Sequence, residues 1–197
     1  MSRGMTRRAD APGCARSSGP SRGGRHGLWR SWLDLEDFEV TKAFVSDLKS
    51  NTRTAMIALL NKRLADAIDL KLAIKQAHWN VKGPGFIAIH ELFDQVAARV
   101  EEHGDTLAER VVQLGGIAAG TTQATAEATS LSPYPTDTTA QNDHVKAVGD
   151  RLGAFAKGCR EGVDEADTAG DAITADIFTS ITRAVDKDHW FVGAHMA

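Results

Sequence analysis

From about residue 51, apolar residues return at three- and four-residue steps. In "NTRTAMIALLNKRLADAIDLKLAIKQAHWN" the steps pass through Ile57, Leu60, Leu64, Ile68 and Leu72, which predicts an amphipathic helix. Asn51 or Thr52 is the expected N-cap, and Gly and Pro in "VKGPG" (residues 81–85) end the helix. A second helix is predicted from about Ile87 to Leu114, closed by Gly115 and Gly116. Residues 117–136, Thr/Ala-rich and ending in "SPYP", read as a connection with a short helix in it. A third helix, about 138–166, carries Val145, Val148, Leu152, Phe155, Cys159 and Val163. Its Gly149, Gly153, Gly158 and Gly162 weaken it intrinsically and fit close helix packing. The last helix, about 171–194, carries Ile173, Ile177, Ile181, Val185 and Phe191.

No strand-like alternation and no internal repeat compete with this pattern. Four long helices with one long crossover describe an all-α, ferritin-like four-helix bundle, with the short helix in the crossover between the second and third long helices. With 42% hydrophobic and 25% charged residues in 197, the chain is composed like an ordinary globular domain. It shows no run of about 18 apolar residues that would span a membrane, and no apolar signal-peptide core. Cys14 and Cys159 make no disulfide framework and fit a reducing cytoplasm. Cys159, at an apolar-periodic position, reads as core filler.

Charge divides the chain at about residue 40. Residues 1–30 hold seven Arg against Asp10 alone, whereas residues 41–197 hold sixteen basic and twenty-one acidic residues, a net of −5. We therefore treat 1–40 as a disordered basic tail and 41–197 as the domain. The tail has three readings: a basic nucleic-acid arm, a transit-peptide-like segment, or translated upstream DNA. It contains no Lys, and its Arg, Gly, Pro and Ala usage matches GC-rich non-coding sequence. "LEDFEV" (35–40) is encodable with a GGAGGA stretch at ribosome-binding distance from a GTG codon for Val40. That places the expected translation start at Val40.

The chemistry-bearing stretch is "KQAHWNVKGPGFIAIHELFD", residues 75–94. On the second helix His90, Asp94, Asp105 and Glu109 fall at about 0°, 40°, 60° and 100° on a helical wheel, so they share one face. One chain cannot gather them round one ion. His90 to Asp105 is about 22 Å of helical rise, against metal–ligand distances near 2 Å. His78, ending the first helix, folds back to join His90 and Asp94 only. A second copy, laid antiparallel across a two-fold axis near Arg99 and Val100, brings Asp105 and Glu109 to His78, His90 and Asp94 and makes two equivalent sites. Two imidazoles and three carboxylates suit Fe(II), Mn(II) or Zn(II). Taken singly, the acids also read as a solvated face and the histidines as caps or core residues.

These stretches, with "HGDTLAERVVQLGG" (103–116) and "TADIFTSITRAVDKDHWFVGAH" (174–195), closely resemble the Dps family, the mini-ferritins of stressed bacteria. The likeness covers about residues 42–195. It implies a cytoplasmic, hollow twelve-subunit homo-oligomer that oxidises Fe(II), preferably with hydrogen peroxide, at di-iron ferroxidase centres between subunits, stores a ferric core, and protects DNA. It assigns the ligands to His78, His90, Asp94, Asp105 and Glu109. Trp79 becomes either a one-electron donor or a packing residue at the helix end. Iron access pores are implied at Asp176, with Asp171 second, although capping suits Asp171 better. DNA is a further implied partner, dependent on the basic tail. His189 in "DKDH" is expected to be structural, His103 a packing or surface group, and His144 and His195 to lie on solvated ends.

Overall fold

The structure, a computed structural model, describes Phe44 and residues 47–196. The expectations for the tail and for a start at Val40 lie outside the described residues, as does Cys14. Helices α1 (Ser50–Asn80), α2 (Phe86–Gln113), α3 (Thr122–Ala128), α4 (Gln141–Ala169) and α5 (Ala172–Gly193) follow in order, with a 3₁₀ turn at Ala194–Met196. No β-strand occurs among the described residues; a single isolated bridge pairs Lys82 with Ala140.

Side-chain contacts between helices set their directions. Lys71 pairs with Glu101 and Lys75 with Asp94, so α1 and α2 run antiparallel. Arg99 holds Asp188 and Arg110 holds Asp171, so α2 and α5 do likewise. Arg160 pairs with Asp186 across the α4–α5 hairpin. Thr52 donates to Ala169 O while Arg63, further along α1, approaches Gly158, so α1 and α4 are also antiparallel. Residues 114–140 therefore cross the length of the bundle and leave α2 parallel to α4, as the long connection requires.

The core is filled by Leu60, Leu64, Leu70 and Ile74 of α1, Phe93, Val100 and Leu107 of α2, Leu152, Phe155 and Cys159 of α4, and Phe178 and Val185 of α5. The predicted stripe on α1 drifts out of it. Ile68 is half-buried and Leu72 is 50% exposed, because repeated steps of four advance about 40° each while the core takes 67, 70, 74 and 77. Ile173 at 61% exposure departs from α5 in the same way.

Helix ends follow backbone geometry more than side-chain capping. α1 begins at Ser50 with Lys49 at the N-cap position and no side-chain cap, so neither Asn51 nor Thr52 serves. α4 runs on to Ala169 and is closed by Gly170 at φ 80°, a left-handed conformation that suits glycine. The α4 glycines do admit neighbours. A Cβ on Gly158 would lie 1.6 Å from Arg63 Nη1, and one on Gly162 3.0 Å from the Phe178 ring.

His144 corrects one expectation. It is 1% exposed, with Nδ1 2.7 Å from the Tyr134 hydroxyl. Arg151 lies over the Tyr134 ring, 4.7 Å from its centroid, and donates to Ser132 O. The crossover is thus clamped onto α4, and this burial was invisible locally because its partner comes from the loop. His195 is half-buried, and His103 is half-buried on α2. The His189 ring rests against the Gly149–Gly153 notch of α4.

Candidate metal centre

His78 stands in the last turn of α1 and His90 in the second turn of α2, joined by the Val81–Gly85 turn. Their rings stack with centroids 3.7 Å apart and planes 21° from parallel. His90 Nδ1 lies 2.8 Å from His78 O, and His78 Nδ1 lies 2.8 Å from His90 O. A carbonyl oxygen only accepts, so each ring must donate from Nδ1. In the neutral form of each ring the lone pair then lies on Nε2. This is the outer-sphere arrangement that fixes a metal-binding histidine in tautomer and orientation.

Asp94, one turn beyond His90, lies beside the pair: its Oδ1 is 3.9 Å from His78 Nε2. The hydrogen bond from Lys75 Nζ, 2.5 Å away, holds its carboxyl below the usual range, aided by the positive charge of Lys75. Lys75 was missed in the sequence, although its spacing of three from His78 and four from Trp79 puts all three on one helix face. Trp79 is 66% exposed, and its ring centroid is 5.8 Å from Lys75 Nζ. Within one chain it does not pack at the helix end.

Asp105 and Glu109 are exposed on the same unbroken α2. Asp94 to Asp105 is eleven residues, about 16 Å of rise. Among the described residues no three His, Cys, Asp or Glu side chains gather closely enough to hold an ion, so His78, His90 and Asp94 of one chain do not make a site by themselves. Leu72, Trp79, Ile87 and Val112 are 47–66% exposed on the hairpin that carries these groups. Beside Glu109 a groove is lined by Phe44, Ala108, Val112, Gln113 and Ala118. At the level of Arg99 and Val100 the outward residues are Ala98, Glu101 and Glu102. Val100 itself is buried, and Arg99 makes a double hydrogen bond to Asp188, because the core side of α2 passes through them.

Asp176 is exposed near the start of α5. Asp171 is not: at 2% exposure it caps α5 through Thr174 N–H and pairs with Arg110. Its carboxylate is fully engaged, which is the capping role rather than that of a pore ligand.

A family model described as a ferritin-like domain matches residues 57–197. The DNA protection during starvation protein of Agrobacterium fabrum (strain C58 / ATCC 33970) is 51% identical over 151 residues, covering 77% of this chain and 93% of that protein. DpsA14 from Streptomyces coelicolor has a TM-score of 0.75 at 33% identity, covering 79% of this chain and 92% of that one. Dps from Microbacterium arborescens, in a structure described as the high iron form, has a TM-score of 0.71 at 35% identity, covering 75% of this chain and 96% of that one.

Proposed function

The chain belongs to the ferritin-like family, in the Dps branch, and on that premise we propose that it oxidises and stores iron at centres shared between two copies. One observation carries the reading. Two stacked imidazoles are held by reciprocal Nδ1 bonds, with His78 Nε2 3.9 Å from Asp94, while the acids that would complete the set lie about 16 Å further along the same helix. A half-centre of this kind is useful only against a second one. The exposed apolar residues round it supply a surface worth covering in a second copy.

Iron is the substrate here. His78 and His90 offer neutral nitrogen suited to ferrous ions, and Asp94 with Asp105 and Glu109 of a second copy offers hard oxygen suited to the ferric product. Two ferrous ions give one electron each to one hydrogen peroxide, whose O–O bond breaks. With two further waters the products are two FeO(OH) and four protons. We take Trp79, exposed and adjacent to His78 in the chain, as the one-electron donor to an over-oxidised centre. The reading extends to a hollow dodecamer with Asp176 at its iron inlets. Among the described residues no helix is long and apolar enough to cross a membrane.

The test is complementation. A His78→Ala, His90→Ala chain and an Asp105→Ala, Glu109→Ala chain are each expected to lose rapid peroxide-dependent Fe(II) oxidation. Co-expressed, they recover part of it, because each mixed dimer rebuilds one centre. Wild-type rates in either homomer, or no recovery in mixed assemblies, would sink the shared centre.

A further inference from the structure

The turn that sets His78 over His90 is gripped from outside its own hairpin. Lys82 N–H donates to Thr139 O at 2.8 Å, and Gln141 N–H donates to Lys82 O at 3.0 Å. The Gln141 side chain then accepts from Gly85 N–H at 2.8 Å. Gly85 is the N-cap position of α2 and has no side chain of its own to cap with. Gln141 Oε1 thus satisfies a backbone donor at that end from 56 positions away. The seat is tight: a Cβ on Gly83 would lie 2.8 Å from Gln141 Cβ, and one on Gly85 3.0 Å from Gln141 Oε1. Gln141 is itself anchored, as the first residue of α4, three residues before buried His144 and its bond to Tyr134.

We infer that Gln141 is a positioning residue for the His78/His90 half-centre. Gly85 opens the first turn of α2, its carbonyl accepting from Ile89 N–H at 3.1 Å one residue before His90, so its placement sets how α2 is rotated as it leaves the turn. With side chains about 5 Å from the helix axis, a 20° rotation moves the His90 ring by about 2 Å. That breaks the two reciprocal 2.8 Å bonds that aim both Nε2 atoms. Ligands must be held far more closely than that to bind well. The start of α4 therefore reaches the half-centre through the Gln141 amide oxygen, beside the two backbone bonds at Lys82. This inference rests on the proposed function in taking the two histidines as ligands.

Anaerobic titration of the assembled full chain with Co(II), followed by its visible absorption, tests it. Gln141→Ala is expected to bind Co(II) on the order of 10-fold more weakly, with unchanged assembly mass and helix content. Gln141→Glu keeps an oxygen for Gly85 N–H and is expected to restore wild-type affinity. Hydrogen exchange at the Gly85 amide, which needs no metal, is expected to quicken in Gln141→Ala and not in Gln141→Glu. Wild-type affinity and exchange in Gln141→Ala would overturn the inference. So would a Gln141→Glu protein as weak as Gln141→Ala, or a Gln141→Ala chain that fails to assemble, which would make the residue a determinant of the fold. Asp105→Ala in the same titration judges the other reading by itself: Co(II) binding that ignores Asp105 counts against the shared centre and leaves the exchange result standing.

Discussion

The Lys75 ammonium bonds to the Asp94 carboxylate while lying 5.8 Å from the centroid of the Trp79 ring. A cation arriving at Asp94 must compete with a charge already there. Lys75→Met is expected to tighten Co(II) binding by about 2–5-fold, the scale of an exposed ion pair. Trp79 fluorescence is expected to change on binding in the wild type and less in the variant. Equal affinities in an isothermal titration would show that Lys75 only braces α1 against α2.

Arg63 depends on Gly158. Its guanidinium occupies the place of a missing Cβ and pairs with Asp66, which is 0% exposed and also accepts from Ser130 N–H and Oγ. Gly158→Ala forces Arg63 aside, although alanine favours the helix intrinsically. Overpacking in the interior is expected to win, costing about 1–3 kcal/mol. Chemical denaturation measures it; a more stable variant would show that Arg63 moves without loss.

His144 makes stability fall with acid. Burial holds its pKa below the ordinary value, outweighing the raising effects of the Thr138 backbone and Asp143. The unfolded chain therefore binds more protons than the native one once pH drops below about 6.5. Stability present above that pH is lost progressively as pH falls towards the folded-state pKa. His103, also lowered by burial, acts in the same direction. His144→Gln, which keeps a partner for Tyr134 and does not titrate, is expected to lose less Tm between pH 7 and pH 5 than the wild type. An identical loss would assign the slope elsewhere.

Cys159 is expected to be inert. It is 0% exposed, and desolvation pushes its thiol up to about 12. At pH 8 the thiolate fraction is on the order of one in ten thousand, and only the thiolate attacks. In a Cys14→Ser chain, a disulfide reagent is expected to find no thiol until denaturant is added, and then one. Prompt reaction in native buffer would mean that α4 opens readily.

DNA binding should follow the seven arginines of residues 1–30, since residues 41–197 carry a net of −5. The full chain is expected to retain duplex DNA at low salt and release it steeply as salt rises, whereas a chain beginning at residue 40 retains little. Equal retention by both in a gel shift would move the interface onto the bundle.

Helical periodicity and glycine placement were enough to read four long helices, the crossover and its short helix. Those signals are local: three- and four-residue steps, and turns that need Gly or Pro. The incompleteness of the ligand set was also legible, because rise along α2 is a property of spacing alone. Contacts between distant segments were not. The stripe through Ile68 and Leu72 predicts a face, but neighbouring helices decide which part of it is covered. His144 looks like any polar residue at a helix start until Tyr134 arrives from the crossover. Asp171 could have faced a pore until Arg110 of α2 claimed it. Gln141 carries no signal at all, since its work is done on an amide 56 residues away. The sequence determined the helices and the spacing that keeps Asp105 and Glu109 far along α2 from His90 and Asp94. The tertiary structure alone decided what holds His78 and His90 in place, because a hydrogen bond depends on distance in space and not on distance along the chain.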